Sequence, residues 1–280
     1  MRVLLTLWGV FSLSAVCQCL VAREVALSES LGSQETAEAR FVPGELSFAG
    51  AETIADLVRF PDTEVDVTVA LHCALHVQNS DTFSNFCFAP DSSTSAFEEA
   101  FRAVLPRLRV SAARLDGKRK PVWIPYSVEF LKRGDDERVQ IYENYGVEVA
   151  RYGRQYTGPQ RVLSSSERVS RVSRACRTSQ PEKLVWVRAN VTADGEPEGI
   201  RVVTDTSEAC RRGIEALFAQ SSYIPAHYQG KPVSAELLEP FFPTLHLYGS
   251  CNTPTHDIHG QHPIRGLRQW RVSQHCYQPR

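Results

Sequence analysis

The stretch Val185–Val203, VWVRANVTADGEPEGIRVV, contains two runs of alternating apolar residues on either side of a short turn. Every second residue from Val185 to Val191 is apolar, which is the period of a half-buried β-strand. Ala193-Asp194-Gly195 carries the Asp-Gly signal of a tight hairpin. Ile200 and Val202 continue the alternation on the return strand. The stretch therefore predicts a β-hairpin with one apolar face.

A helix and a further strand follow this hairpin. Ile214, Leu217 and Phe218 recur at three- and four-residue spacing, which is typical of the apolar face of a helix. Gly230 then turns the chain into a last strand, predicted over Val233 to Phe242. The order strand, strand, helix, strand predicts a helix packed on a small antiparallel sheet, an α+β arrangement.

The chain contains a second, diverged copy of this order. Ala96–Phe130 aligns with Ala209–Phe241 once a two-residue gap at Arg119-Lys120 is allowed. The aligned pairs are Ala96 with Ala209, Phe101 with Ile214, Leu105 with Phe218, Gly117 with Gly230, Pro121 with Pro232, Val122 with Val233, and Phe130 with Phe241. One small gap that keeps seven pairs in step indicates an internal repeat.

The first copy has the same physical signals and one extra short strand. Its predicted strands are Val65–Cys73, Phe86–Phe88, Leu108–Val110 and Val122–Phe130. Ser95 and Glu98 form a capping-box pattern that predicts the start of a helix, and Pro106 predicts its end.

The second copy, with its GKPV turn, resembles the C-terminal domain of TonB-family energy transducers. The segments that carry the resemblance are TADGEPEGIRVV, GIEALF, YIPAHYQGKPV and LLEPFF. It covers Lys183–Pro243 clearly and Val65–Phe130 faintly. The resemblance implies an α+β fold with two small domains in tandem, each a helix packed on an antiparallel β-sheet.

Known members of that family bind an extended peptide of an outer-membrane transporter along a sheet edge, and some touch peptidoglycan. An edge strand offers unpaired N–H and C=O groups that an added strand completes. The resemblance implies a partner-binding edge in the last strand, at Val233, Ala235, Leu237, Glu239 and Phe241. Ordinary sheet packing is the competing interpretation of each of these residues.

The chain departs from the transducer pattern before the first copy. Arg23–Val65 contains only two prolines, Pro43 and Pro61, whereas a spacer across the periplasm needs a stiff, extended composition. We therefore expect the recognition domain without the motor connection. An anchored energy transducer is the first alternative.

The N-terminus predicts export. Residues 1–22 contain one arginine, Arg2, before a mostly apolar run that ends at the small residue Ala22, which is typical of a secretory signal peptide. A membrane anchor is the competing interpretation, because a span needs about 20 apolar residues. We expect a periplasmic protein, with inner-membrane anchoring as the alternative and membrane contact only if the N-terminus is uncleaved. The predicted segments are a signal peptide (1–22), an acidic segment (23–60), domain 1 (61–135), a basic linker (136–180), domain 2 (181–244) and a His-rich tail (245–280).

The cysteines predict disulfide bonds. Two of the eight cysteines lie in the signal peptide, and six remain in a chain that is expected to meet an oxidising compartment. Spacing alone does not choose among the possible pairings. In the predicted two-domain frame the pairs are Cys73 with Cys87, Cys176 with Cys210, and Cys251 with Cys276.

The tail holds five of the eight histidines, and three of them, His256, His259 and His262, are spaced by three. Imidazoles at such a spacing can ligate Zn or Cu, so a periplasmic metal-binding protein is the second alternative. A polar, disulfide-tied extension is the simpler interpretation, and we expect no cofactor.

Enzymatic and nucleic-acid functions are not favoured. The chain has no G-x-S-x-G elbow, H-E-x-x-H motif or phosphate-binding loop. The basic run Arg154–Arg177 lacks interleaved aromatics apart from Tyr156, and the formal net charge of the chain is −1. The sequence therefore predicts a non-enzymatic binding protein of the bacterial envelope, related to TonB-dependent transport, that engages an envelope protein or peptide.

Overall fold

The computed structural model describes residues 40–51, 53–77, 83–89, 94–163, 172–176, 185–241, 258–260 and 270–277. For residues 88, 89, 258–260 and 270–277 it describes the backbone alone. The predicted signal peptide, residues 23–39 of the acidic segment and the tail residues Cys251, His256 and His262 lie outside these ranges.

The strands are β1 Phe41–Val42, β2 Leu46–Phe48, β3 Val67–Val77, β4 Phe83–Ala89, β5 Leu108–Val110, β6 Arg114–Leu115, β7 Lys118–Arg119, β8 Val122–Arg133, β9 Asp136–Tyr142, β10 Gln160–Val162, β11 Val185–Val191, β12 Pro197–Val202, β13 Tyr223–Ile224, β14 Ala226–Tyr228, β15 Lys231–Val233, β16 Ala235–Phe241, β17 Ile258–Gly260 and β18 Trp270–Tyr277. The α-helices are α1 Ser95–Val104, α2 Val149–Tyr152 and α3 Glu208–Ala219.

The two copies share one topology. In the first copy β3 lies between β4 and β8, and in the second β11 lies between β12 and β16; all four pairings are antiparallel. A short hairpin precedes the last strand of each copy, β6–β7 in the first and β14–β15 in the second. Asp116-Gly117 and Gln229-Gly230 turn these hairpins with matching positive φ angles. The predicted α+β fold class is confirmed.

Each sheet buries one face under its helix. In the first copy α1 places Phe101 in a core that includes Leu71, Leu75 and Phe130. In the second copy α3 contributes Ile214, Leu217 and Phe218 to a core formed with alternate residues of β11. The helical spacing that predicted these apolar faces matches the buried residues.

The start of α1 differs from the prediction. The helix begins at Ser95, with Thr94 at the N-cap position, so Ser95 is inside the first turn. The Glu98 side chain is buried and accepts a hydrogen bond from Arg102 at 2.9 Å. The capping box predicted from Ser95 and Glu98 is therefore wrong, because Glu98 pairs one turn forward. In α3, by contrast, the Ser207 hydroxyl caps the helix by accepting from the N–H of Cys210.

The segment expected to be a linker, 136–180, contributes two strands, β9 and β10, to the sheets. β9 pairs with the C-terminal half of β8, and β10 pairs with its N-terminal half. β10 also pairs with β13 of the second copy, so the sheet of the first copy includes one short strand of the second, while β12, β11 and β16 form a separate sheet. β9 begins with three charged residues and β10 is only three residues long, so their own patterns carry little signal. Residues 172–176, within the predicted basic linker, are helical.

The tail also adds strands. β18 pairs antiparallel with β4 over residues 271–277, and β17 pairs with β18. A backbone ladder along an existing edge needs no strong apolar alternation, which explains why sequence periodicity did not indicate it.

Two of the predicted disulfides are present. Cys73 and Cys87 are bonded between directly opposite residues of β3 and β4. Cys176 is bonded to Cys210 in the first turn of α3. The third predicted pair lies outside the described residues at Cys251. Among the helices of the described ranges, none is long and apolar enough to cross a membrane.

Candidate binding edges

The structure places four of the five predicted partner-binding residues on β16. Ala235, Leu237, Glu239 and Phe241 pair with alternate residues of β11, and all four side chains are buried. Leu237 and Phe241 pack in the core beneath α3. Val233 is separate from them, because the predicted single strand divides at Ser234 and Val233 pairs with Ala226 in the β14–β15 hairpin.

Glu239 forms a buried ion pair with Arg161 of β10. The Arg161 Nε lies 3.0 Å from each Glu239 carboxylate oxygen, and the side chains are 2% and 1% exposed. The guanidinium carbon also lies 4.5 Å from the centroid of the Phe218 ring. Burial raises the pKa of Glu239, and the charge and hydrogen bonds of Arg161 oppose that rise. Glu239 therefore joins the linker strand to the second copy.

The outer edge of β16 is engaged by residues of the chain itself. The Glu236 N–H donates to Glu148 Oε1 at 3.0 Å, and the Ser234 carbonyl accepts from the Tyr152 hydroxyl at 2.8 Å. Pro240 has no N–H to offer. An added strand would meet these groups before it met the backbone of β16.

The other edge of this sheet, β12, is also blunted. The Val202 N–H donates to Glu215 Oε1 of α3 at 3.1 Å, and β12 begins with Pro197. The pairing with β11 shifts register opposite Gly199, where φ is 59°. Prolines and bulges on edge strands hinder the addition of a further strand.

The outer edge of β9, in contrast, is not paired with another strand in the described ranges. A two-residue turn, Gly134-Asp135, connects β8 to β9, and the pair that closes such a turn is hydrogen bonded. Alternate residues of β9 from Asp136 therefore bond to β8. The backbone groups of Glu137, Val139 and Ile141 face outward, and within the described ranges they form no hydrogen bond.

The surroundings of β9 have one apolar and one polar face. Val139 is buried in the core of the first copy, and the short 3-10 helix Ile54–Asp56 lies beside the strand without a backbone hydrogen bond to it. On the other face, Arg154 stacks 5.3 Å from the centroid of the Tyr142 ring and pairs with Glu129 at 3.1 Å.

Two histidines of β3 are buried on the face opposite α1. The His72 ring lies 5.4 Å from the Tyr145 ring, which lies 6.2 Å from the ring of Trp186 in the second copy. Burial lowers the pKa of both His72 and His76 to about 4, with Arg154 and Arg161 contributing respectively, so both are neutral at pH 7. Alternation in β3 predicted a half-exposed polar face; packing against the second copy is what buries it.

Glu143 is a second perturbed carboxylate that sequence reasoning missed. Its Oε1 accepts from the Leu46 N–H, and its Oε2 accepts from the Thr157 hydroxyl at 3.1 Å. Burial raises the pKa of Glu143 to about 7, although both hydrogen bonds oppose the rise. The side chain fastens the N-terminal strand β2 to the segment after α2. A lone glutamate after a strand gives no local signal of such a contact.

The metal alternative is not tested by the described part of the chain. In that part, no three or more His, Cys, Asp or Glu side chains are grouped so that they could hold a metal ion. His259 lies on β17, of which the backbone is described, and His256 and His262 lie outside.

No family model matches the chain, and no match was found among the curated proteins or the solved structures.

Proposed function

We propose that the chain is an exported, non-enzymatic binding protein of the bacterial cell envelope that holds an extended segment of an envelope protein by β-strand addition. The partner class comes from the resemblance to TonB-family C-terminal domains, with an outer-membrane transporter as its first candidate. This mode of binding is supported by the outward backbone groups of β9, which form no hydrogen bond within the described ranges.

The state of the edges favours β9 over the last strand. Glu137, Val139 and Ile141 offer three N–H and three C=O groups in the alternation that an incoming strand needs. The edge of β16 is engaged by Glu148 and Tyr152. We therefore propose β9, rather than β16, as the strand that pairs with the partner segment.

The disulfides support export. Cys73–Cys87 and Cys176–Cys210 are both bonded, and such bonds persist in oxidising compartments. The intact mass of the protein recovered from fractionated source cells tests this part. A soluble species that begins near Arg23 is expected. A full-length, membrane-bound species would contradict export with cleavage and favour the anchored transducer.

Photo-crosslinking tests the edge. A photoreactive residue in place of the exposed Arg138 of β9 should give a discrete adduct with an envelope protein in source cells, and one in place of Arg201 of β12 should not. Glu137→Pro, which removes an outward N–H, should abolish the adduct. Glu137→Ala is the matched control, because it loses the same contact with Lys132 and keeps the N–H.

Two outcomes would count against the edge. One is an adduct that persists in a folded Glu137→Pro chain, and the other is an equal yield from the Arg201 position. Thermal unfolding of the Glu137 variants shows whether each is folded.

A further inference from the structure

The β6–β7 hairpin carries a cluster of cations. The hairpin patch consists of Arg114, Lys118, Arg119 and Lys120; the first three are exposed and Lys120 is half-buried. Arg119 and Lys120 are the two residues that the first copy has and the second lacks. The equivalent β14–β15 hairpin of the second copy has one cation, Lys231, between Gly230 and Pro232.

The cations of the hairpin patch are not neutralised within the described ranges. Arg114 and Arg119 are directly opposite each other across the hairpin, a like-charge arrangement that destabilises a strand pair. Arg114 donates to the Gly117 carbonyl, and Asp116, the acid of the turn, pairs with Arg40 at 3.1 Å. No carboxylate in the described chain forms an ion pair with the patch. An external anion would relieve this repulsion.

The turn of the hairpin is exposed. Its tip turns at Asp116 and Gly117, with φ of 53° and 72°. No atom lies within 4 Å of where a Cβ on Gly117 would be, so Gly117 faces open space. The exposed cations on either side of this turn can approach a flat array of negative charges.

The neighbouring residues favour lipid over nucleic acid. Val42 of β1 pairs with Arg114 and is 42% exposed, so an apolar side chain sits beside the cations. Phe41, the aromatic of this small sheet, is buried and leaves no ring on which a base could stack. Cations beside an exposed aliphatic residue suit the headgroup level of an anionic bilayer.

We propose that the hairpin patch docks the protein on a membrane surface by contacting anionic phospholipid headgroups. This surface is separate from β9, and the proposal stands whether or not β9 binds a peptide. The formal net charge of −1 for the chain conceals the patch, because acidic residues elsewhere balance it.

Vesicle co-sedimentation of the full chain tests the proposal. The chain should bind phosphatidylcholine vesicles that contain phosphatidylglycerol, and this binding should weaken as ionic strength rises. It should not bind vesicles of pure phosphatidylcholine. The triple variant K118Q/R119Q/K120Q should bind at least about tenfold more weakly, since each cation near an anionic surface contributes to attraction. The control R201Q/R212Q/K231Q removes the same net charge from exposed sites of the second copy and should bind like the unmodified chain.

Three results would overturn the proposal. They are equal binding to neutral vesicles, an equal loss in the control triple variant, and binding to duplex DNA or polyglutamate as tight as binding to anionic vesicles. The thermal midpoint of the patch variant should stay the same or rise, because the like-charge pair is gone.

Discussion

At the scale of single residues, the sequence pattern could not predict which buried charged side chains pair with each other. Arg161 and Glu239 are 78 residues apart and lie on strands of different pattern, yet they form the buried pair between the linker strand and the second copy. Glu239 occupies an alternating position that the strand pattern reserves for apolar side chains. The pattern could place the residue but could not identify its partner.

The first prediction concerns this pair. Glu239→Gln should lower the free energy of unfolding by roughly 3–5 kcal/mol, because it leaves the Arg161 charge buried without its counter-charge. The double variant R161M/E239L should be markedly more stable than Glu239→Gln alone. Urea unfolding measures both. A cost below about 1 kcal/mol for Glu239→Gln would show that water or another group already compensates the charge.

Glu143 gives a prediction about pH. Its pKa in the folded chain, about 7, lies above the ordinary value of 4.5. The folded state therefore binds this proton more tightly, and the associated stability is present at low pH and lost as pH rises through about 7. Relative to the unmodified chain, Glu143→Gln should gain stability, on the order of 1–3 kcal/mol, between pH 5 and pH 8.

Urea unfolding of both chains at the two pH values gives this difference. Glu196→Gln, which replaces an exposed carboxylate that does not raise the pKa of Glu143, is the control and should show no such gain. A gain of the same size in the control, or none for Glu143→Gln, would refute the prediction.

At the scale of elements, apolar periodicity predicted the helices and strands that bury an apolar face of their own. The hairpin of the second copy, both long helices and the central strands were located within a few residues, because each buries its own apolar face. The strands β10 and β18 were missed, because they are stabilised by pairing with edges made elsewhere in the chain. β9 was missed although the Gly134-Asp135 turn joins it directly to β8. Four of the five residues of the predicted binding strand lie on β16, but the hydrogen bonds at its edge come from Glu148 and Tyr152, which are distant in sequence.

The Asp194-Gly195 turn makes a prediction at this scale. Gly195 has φ of 80°, and a Cβ there would meet the Tyr223 carbonyl at 2.8 Å and the Phe41 ring at 3.0 Å. Gly195→Ala should therefore cost more than Gly199→Ala, whose site has φ of 59° and no atom within 4 Å. Both substitutions should lose about 1 kcal/mol of stability to backbone strain. Any larger loss at Gly195 measures the cost of the close approach of β1 and β13 to that residue. Equal costs in urea unfolding would show that this approach is loose.

At the scale of the whole molecule, the repeat does not make two independent bodies. β10 hydrogen bonds to β8 of the first copy and to β13 of the second, and Phe41 of β1, which pairs with β6 of the first copy, reaches the second-copy turn at Gly195. Pairing, packing and the Arg161–Glu239 ion pair all cross the same boundary. The two copies of the repeat therefore share strand pairing, core packing and a buried ion pair.

The last prediction follows from that continuity. Native-state hydrogen exchange should show the slowest amides of β3 and β11 opening with one common free energy, since β10 pairs with both β8 and β13 and its Arg161 side chain forms the ion pair with Glu239 of β16. Glu239→Gln should then lower protection in β3 and β11 by the same amount, although Glu239 pairs with β11 and makes no backbone pair with β3. Loss confined to β11 would mean that the second copy opens alone and that the strands between the copies act as a hinge.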